Sequence, residues 1–386
     1  MFSSRFHWDL RPNRLTELLA AKRSAGAAVL DLTESNPTRA GLDYPAGILE
    51  ALAHPDALLY DPAPAGTERA RQAVCGYYSG RGHTVDPDRI LITASTSEAY
   101  AYLFKLLTNP GDEVLVPRPS YPLFEFLATM ESVRVAQYPL VYHGVWSIDF
   151  PALAAAVNER TRAVILVNPN NPTGSFLKRD EQGELVRLAR RYRLAIIADE
   201  VFADYAFAPD PRRVSHLGGI EETLVFSMSG LSKVAGLPQL KLGWMVIGGP
   251  PAERREAREK LEWIADTYLS VGTPVQQAAP ALLDLGRGIE RQIQERVRRN
   301  LAFLQSAIGR ESPARILTLE GGWYATLQLP RIRREEEWAL TLLDEDDVLL
   351  QPGFFYDFET EAYLVASLLT RPATFEEGIR RLCNRL

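Results

Sequence analysis

From about Arg89 to Ile247, short runs of buried-type residues alternate with stretches of helical spacing, and this alternation constrains the fold more than any other feature. Ile90–Thr93, Glu113–Val116, Val133–Tyr138, Ala163–Val167, Ala195–Ala198, Thr223–Ser227 and Gly243–Ile247 are rich in Val, Ile and Leu, as strands covered on both faces require. Between them, Glu98–Leu107, Leu123–Met130, Pro151–Asn158 and Asp180–Tyr192 carry apolar residues at helical spacing. Such alternation predicts an α/β fold, a mostly parallel sheet flanked by helices.

After Pro250 the pattern changes. Glu253–Ile264, Pro274–Leu285 and Ile289–Ile308 read as long helices, the last two parted by Gly286-Arg287-Gly288. Arg315–Leu319, Tyr324–Leu329, Val348–Leu350 and Ala362–Leu368 read as strands, with helices around Glu335–Leu343 and Phe375–Leu386. The expected division is a large unit, residues 45–285, and a smaller α+β unit from residues 1–44 and 286–386. The helical stretch Leu15–Ala25 precedes the sheet and is expected to pack with the C-terminal segment.

Composition excludes several functions. The 386 residues are 46% hydrophobic and 24% charged, too apolar for a disordered chain. A net charge of -6 disfavours nucleic acid as a partner, because neutralising phosphates takes a basic surface. Met1–Leu10 has charges and no apolar core, so no signal peptide is expected, and no run approaches the roughly 18 apolar residues of a membrane span. Cys75 and Cys383 build neither a disulfide framework nor a four-ligand zinc site. A soluble, cytoplasmic protein with no metal is expected. The 43 basic residues include six lysines, Lys22, Lys105, Lys178, Lys233, Lys241 and Lys260, and 37 arginines. Any lysine chemistry therefore has few candidates.

In parallel sheets ligands bind beyond the carboxyl ends of the strands. After Ile90–Thr93 come Ser95, Thr96 and Ser97 at a helix start, a phosphate cradle or a plain N-cap. After Ala163–Val167 comes Asn168-Pro169-Asn170-Asn171-Pro172-Thr173-Gly174, more turn formers than one turn requires, with Asn171 able to aim an amide at a ligand. After Ala195–Ala198 comes Asp199, a carboxylate suited to a cationic ring nitrogen or to capping the next segment. After Thr223–Ser227 a loop of small residues carries Ser232 and Lys233; a desolvated lysine there can act as a neutral amine.

With these motifs in this order, the sequence resembles the class I/II (fold type I) aminotransferases that use pyridoxal 5′-phosphate, from about Leu30 to the C-terminus. Pro119-Ser120-Tyr121-Pro122, Gly321-Gly322-Trp323-Tyr324 and Pro352-Gly353 add to the likeness. The resemblance implies that Lys233 forms the internal aldimine and shuttles the Cα proton. It implies that Asp199 keeps the pyridine nitrogen protonated, Asn171 bonds the ring O3′, and Tyr121 stacks on the ring. Ser95, Thr96, Ser97, Ser232 and Lys241 would hold the cofactor and its phosphate, and Tyr60 would reach the phosphate of the neighbouring subunit, which implies a homodimer. The implied reaction is amino transfer between an amino acid or related amine and a 2-oxo acid. The alternatives are β-elimination or decarboxylation on the same fold, and a non-catalytic regulatory relative. The segment preceding the likeness is short for a DNA-binding module.

Five positions depart from the family pattern. Phe202 stands where a tyrosine donates to O3′, which predicts a raised aldimine pKa unless Tyr205 compensates. Gly230 replaces a serine, and Lys241 an arginine, among the phosphate ligands, so a bidentate fork is lost. Val365 occupies the place of the arginine that clamps the substrate carboxylate; Arg39 and Arg371 are candidates to replace it. Thr267 stands where dicarboxylate-specific members carry a second arginine, so such a substrate is disfavoured.

Overall fold

A computed structural model describes residues 2–5, 8, 11–360 and 362–386. Its main sheet has eight strands in the order Ile90–Thr93, Gly243–Gly248, Val225–Gly230, Ala195–Asp199, Thr161–Val167, Glu113–Arg118, Arg134–Tyr142 and Trp146–Ile148. The five strands from Val225–Gly230 to Arg134–Tyr142 are parallel to one another, whereas Gly243–Gly248 runs antiparallel to both its neighbours. All seven expected strands are present. The eighth, Trp146–Ile148, is the return arm of a hairpin that turns through Gly144 at φ 84°.

The period of two along each strand sorts side chains between two helical layers. Val114, Val116, Ile165, Ile197, Phe226 and Met228 pack toward helices Thr96–Leu107, Phe124–Met130 and Pro251–Tyr268. Leu115, Val164, Leu166, Ile196 and Val225 face the opposite layer, which includes Arg179–Tyr192. Covering both faces removes the strand backbone from water and leaves only the strand ends for ligands.

One expectation is corrected beyond Pro250. The two helices expected either side of Gly286-Arg287-Gly288 are a single 35-residue helix, Thr273–Ala307. Gly286 does not break it; a Cβ there would lie 2.4 Å from the Ala235 Cβ, so the glycine serves close packing against the segment that follows Lys233. Residues 285 and 286, at the expected boundary between two units, both lie inside this helix.

A four-stranded antiparallel sheet follows, ordered Arg315–Ile316, Tyr324–Gln328, Tyr363–Ser367, Gln351–Pro352. Leu30–Asp31 pairs in parallel with Val348–Leu349, and the Lys22 Nζ donates to Asp347 Oδ1 at 2.6 Å. The N-terminal helix Arg14–Ser24 thereby joins the C-terminal segment, as expected.

Candidate active site

The strand Val225–Gly230 runs three residues beyond the expected end and leads directly into one helical turn, Leu231–Val234. Gly230 is extended, and a Cβ on it would press the Gly243 Cα at 3.0 Å and the Leu242 oxygen at 3.1 Å. The narrow gap between these strands therefore favours glycine where the family pattern has serine. The turn presents Lys233, whose Nζ lies 4.8 Å from the ring centre of Trp323 and 5.5 Å from that of Phe202. Burial lowers the affinity of this amine for its proton, to a pKa of about 8, against the opposing pull of Asp199.

Asp199 ends the adjacent strand. Burial raises its pKa to about 6, against the lowering effect of donors from the Val201 amide (3.3 Å) and the Tyr100 hydroxyl (3.4 Å). Glu200 turns away, its carboxylate receiving the Leu217 amide at 2.7 Å and lying 2.8 Å from His216 Nδ1. The loop Asn168–Gly174 is tied to the same strand end, because the Asn168 amide donates to the Asp199 carbonyl at 2.8 Å. Its peptides before Pro169 and Pro172 are cis. Asn171 is buried, and its Oδ1 has no hydrogen-bond partner among the described residues. The same is true of Trp323 Nε1, on a side chain with no exposed surface. Orphaned buried polar atoms such as these are costly unless a ligand satisfies them.

Ser95 caps the helix Thr96–Leu107, accepting from the Glu98 amide at 3.2 Å. The cap and cradle readings coexist, since the first-turn amides of a helix lack intrahelical acceptors and point past the cap. Gly243 lets this corner close on the neighbouring strand, as its Cβ would lie 3.1 Å from the Ser95 carbonyl carbon. Thr96 is half-buried and Ser97 exposed. Tyr121 interacts electrostatically with Asp199 and is 43% exposed, which leaves part of its ring surface uncovered.

Tyr205 is engaged elsewhere. Its hydroxyl donates to the Lys233 backbone carbonyl at 2.5 Å, while its ring packs edge-on to Trp323. Phe202 likewise meets Trp323 edge to face, 5.2 Å between centroids. Lys241 and Tyr60 lie outside the Lys233–Asp199 cluster. Lys241 is exposed with a left-handed backbone (φ 51°), and Tyr60 is 77% exposed.

A cleft of about 1240 Å³ is lined by Tyr121, Ser35, Tyr324, Gln351 and Tyr356 among others; it reaches the cluster through Tyr121 and through Tyr324, whose ring lies 6.2 Å from that of Phe202, while Lys233, Asp199 and Asn171 are not part of its lining. Val365 is paired with Thr326, lies on the Tyr324 face of its sheet and is buried. Neither Arg39 nor Arg371 lines the cleft, and the Arg371 guanidinium lies over Gly41. The Thr267 hydroxyl donates to the Trp263 carbonyl at 2.9 Å, within its own helix.

Two contributors, Tyr100 and Glu320, went unrecognised in the sequence, and Trp323 appears there only as part of a motif, without a role. Tyr100 sits at the fifth position of the helix that opens with the hydroxyl run. Trp323 covers the lysine. Glu320 accepts from the Phe176 amide (3.1 Å), Lys178 Nζ (2.7 Å) and Arg213 Nε (2.9 Å), and so fastens the loop carrying Asn171 to the loop carrying Trp323. The Gly174 carbonyl completes the joint by accepting from the Glu320 and Gly321 amides. The glycine pair 321–322 was a usable signal for a close approach; nothing local marks Tyr100 or Glu320.

Residues 29–385 match the family described as aminotransferase class I and II, and the chain belongs to it. It is an aminotransferase. It is similar to the glutamate-pyruvate aminotransferase AlaA of Escherichia coli strain K12, 33% identical over 281 residues, which span 72% of this chain and 68% of that one. The protein of the same name from Haemophilus influenzae is 28% identical over 375 residues, 94% of this chain and 91% of that one. Among solved structures, an Escherichia coli aminotransferase superposes with a TM-score of 0.86 at 26% identity, covering 100% of this chain and 97% of that one. The alanine aminotransferase of Pyrococcus furiosus has the same fold, with a TM-score of 0.88 at 23% identity over 100% of this chain and 99% of that one.

Proposed function

We propose that this aminotransferase holds pyridoxal 5′-phosphate with Lys233 as its covalent anchor, works as a cytoplasmic homodimer, and transfers an amino group between an amino acid and a 2-oxo acid. The observation that carries the reading is the buried Lys233 amine, interacting with buried Asp199 and packed against the rings of Trp323 and Phe202. A planar, polar, phosphorylated ring fits this donor set. Asp199 would meet its ring nitrogen, and the Asn171 Nδ2 would donate to its ring oxygen. The amides and hydroxyls of Ser95, Thr96 and Ser97, with Ser232 and Lys241, would meet its phosphate. Tyr121 offers the ring a flat apolar cover. When bound, the cofactor supplies a protonated pyridine that withdraws electrons from the substrate Cα.

The remaining chemistry belongs to the chain. Lys233, with its pKa lowered to about 8, exists in part as a neutral amine near neutral pH and can receive the Cα proton on Nζ. Asp199 keeps its negative charge above pH of about 6, so it would hold a proton on a ring nitrogen placed against it in the working range. Trp323 and Phe202 exclude water around Nζ, which keeps the amine's pKa low. Tyr60, exposed on its own chain, would serve a neighbouring subunit. Relatives named for glutamate and pyruvate make that pair the first to assay.

The test is a half-reaction. Purified protein loaded with pyridoxal phosphate is mixed with single amino acids, and conversion of the visible absorbance to that of pyridoxamine phosphate is followed. Conversion by the wild type and none by Lys233→Ala is expected. Turnover of the Lys233→Ala variant at the wild-type rate overturns the reading. Release of ammonia without a 2-oxo acid acceptor would favour elimination instead.

A further inference from the structure

We propose that Tyr100 is a positioning residue for Asp199, its hydroxyl fixing the carboxylate in the orientation in which it meets the ring nitrogen of the cofactor. The inference rests on the assignment of Asp199 made above.

Tyr100 is buried in the layer between the sheet and the helices. Its ring stands edge-on to Phe124, with centroids 5.5 Å apart and planes at 78°, and lies 6.0 Å from Phe104. This packing fixes the ring without any help from the hydroxyl, and leucine or phenylalanine would fill the space as well. A buried phenol oxygen left without a partner is costly, so its presence calls for an acceptor. That acceptor is Asp199 Oδ2, at 3.4 Å.

The carboxylate is otherwise sparsely held. Oδ1 receives the Val201 amide at 3.3 Å and Oδ2 receives Tyr100, both long bonds, in a group that can accept about four. The two donors come from different elements: Val201 from the loop that follows the strand, Tyr100 from the helix Thr96–Leu107. One donor on each oxygen sets the rotation of the carboxylate plane and still leaves lone pairs for a charged N–H. The same helix begins at the hydroxyl run, so a single rigid element would set both the phosphate end and the ring-nitrogen end of the cofactor. The other charged or titratable groups interacting with Asp199 are Glu200, Lys233 and Tyr121.

Tyr100→Phe removes the hydroxyl and keeps the ring, so the fold is retained. The first measurement needs no cofactor. With carboxyl-¹³C aspartate incorporated, the Asp199 resonance is identified by its loss in Asp199→Asn, and its titration is compared in the cofactor-free wild type and Tyr100→Phe. An upward displacement of the titration midpoint by about one pH unit is expected on losing one donor to a charged group. In the loaded enzyme kcat should fall on the order of tenfold, with the larger loss on the acid side, while KM for the amino acid changes little. Pyridoxal phosphate should also dissociate more readily. A titration of Asp199 in Tyr100→Phe that superimposes on the wild type overturns the proposal. So does an acid limb of kcat that does not move. Failure of the wild type to bind pyridoxal phosphate would instead overturn the reading of Asp199 on which the proposal depends.

Discussion

Replacing Lys233 by methionine should make the cofactor-free protein more stable at neutral pH, and the size of the gain follows from the site. The folded chain lowers the lysine pKa from 10.5 to about 8, chiefly through burial. A difference of about 2.5 in pKa corresponds to about 3 kcal/mol of unfavourable charge burial. Between pH 8 and 10.5 the unfolded chain holds a proton on this amine that the folded chain does not, so the lysine's contribution to stability rises with pH in that window. Below pH 8 the whole penalty is present, and above about 10.5 it is gone. Methionine fills the same space against Trp323 and Phe202, and its sulfur packs well on aromatic rings. Urea unfolding should therefore find Lys233→Met about 3 kcal/mol more stable than wild type at pH 7, narrowing to about 1 kcal/mol by pH 10, with equal m-values. A methionine variant that is less stable at pH 7, or a difference that does not change with pH, would refute the buried-amine argument.

Three further outcomes are expected. Glu320→Gln leaves Lys178 and Arg213 without their shared carboxylate in a largely buried setting, so the cofactor-free protein should lose about 3 kcal/mol in denaturant unfolding; a loss under about 1 kcal/mol would show that the joint is not energetically coupled. Phe202→Tyr restores a donor close to Lys233, so the visible band of the loaded enzyme should titrate at lower pH in the variant than in the wild type. A wild-type midpoint already below that of the variant would contradict this. If Tyr60 serves the neighbouring subunit, mixed dimers of Tyr60→Ala and Lys233→Ala chains should regain activity beyond either parent, because one of the two sites is then complete; no gain on mixing excludes the shared site.

The sheet was legible because its strands are covered on both faces, so runs such as Ala163–Val167 and Ala195–Ala198 have no polar interruptions. The positions of Asn171, Asp199 and Lys233 at the ends of adjacent strands follow from the same alternation. Gly286 misled because a glycine between two helical stretches reads equally as a break or as a close approach, and only Ala235, remote in sequence, decides between them. Trp146–Ile148 was missed because a three-residue edge strand leaves almost no periodic signal. Tyr100 and Glu320 were invisible for a related reason. Each acts on partners about 100 residues or more distant in sequence, so its role exists only after the chain has folded. Phe202 was recognised as a departure, yet its aromatic contacts with Trp323 could be read only from the structure.

The covalent role of Lys233 is the claim on which the rest depends. Wild-type protein incubated with pyridoxal 5′-phosphate, reduced with borohydride and digested should yield one dominant peptide carrying the mass of the reduced adduct, and that peptide should contain Lys233. The adduct should be absent from Lys233→Ala. No stable adduct at Lys233, or labelling that falls instead on Lys241 or another of the six lysines and persists in Lys233→Ala, would contradict the account.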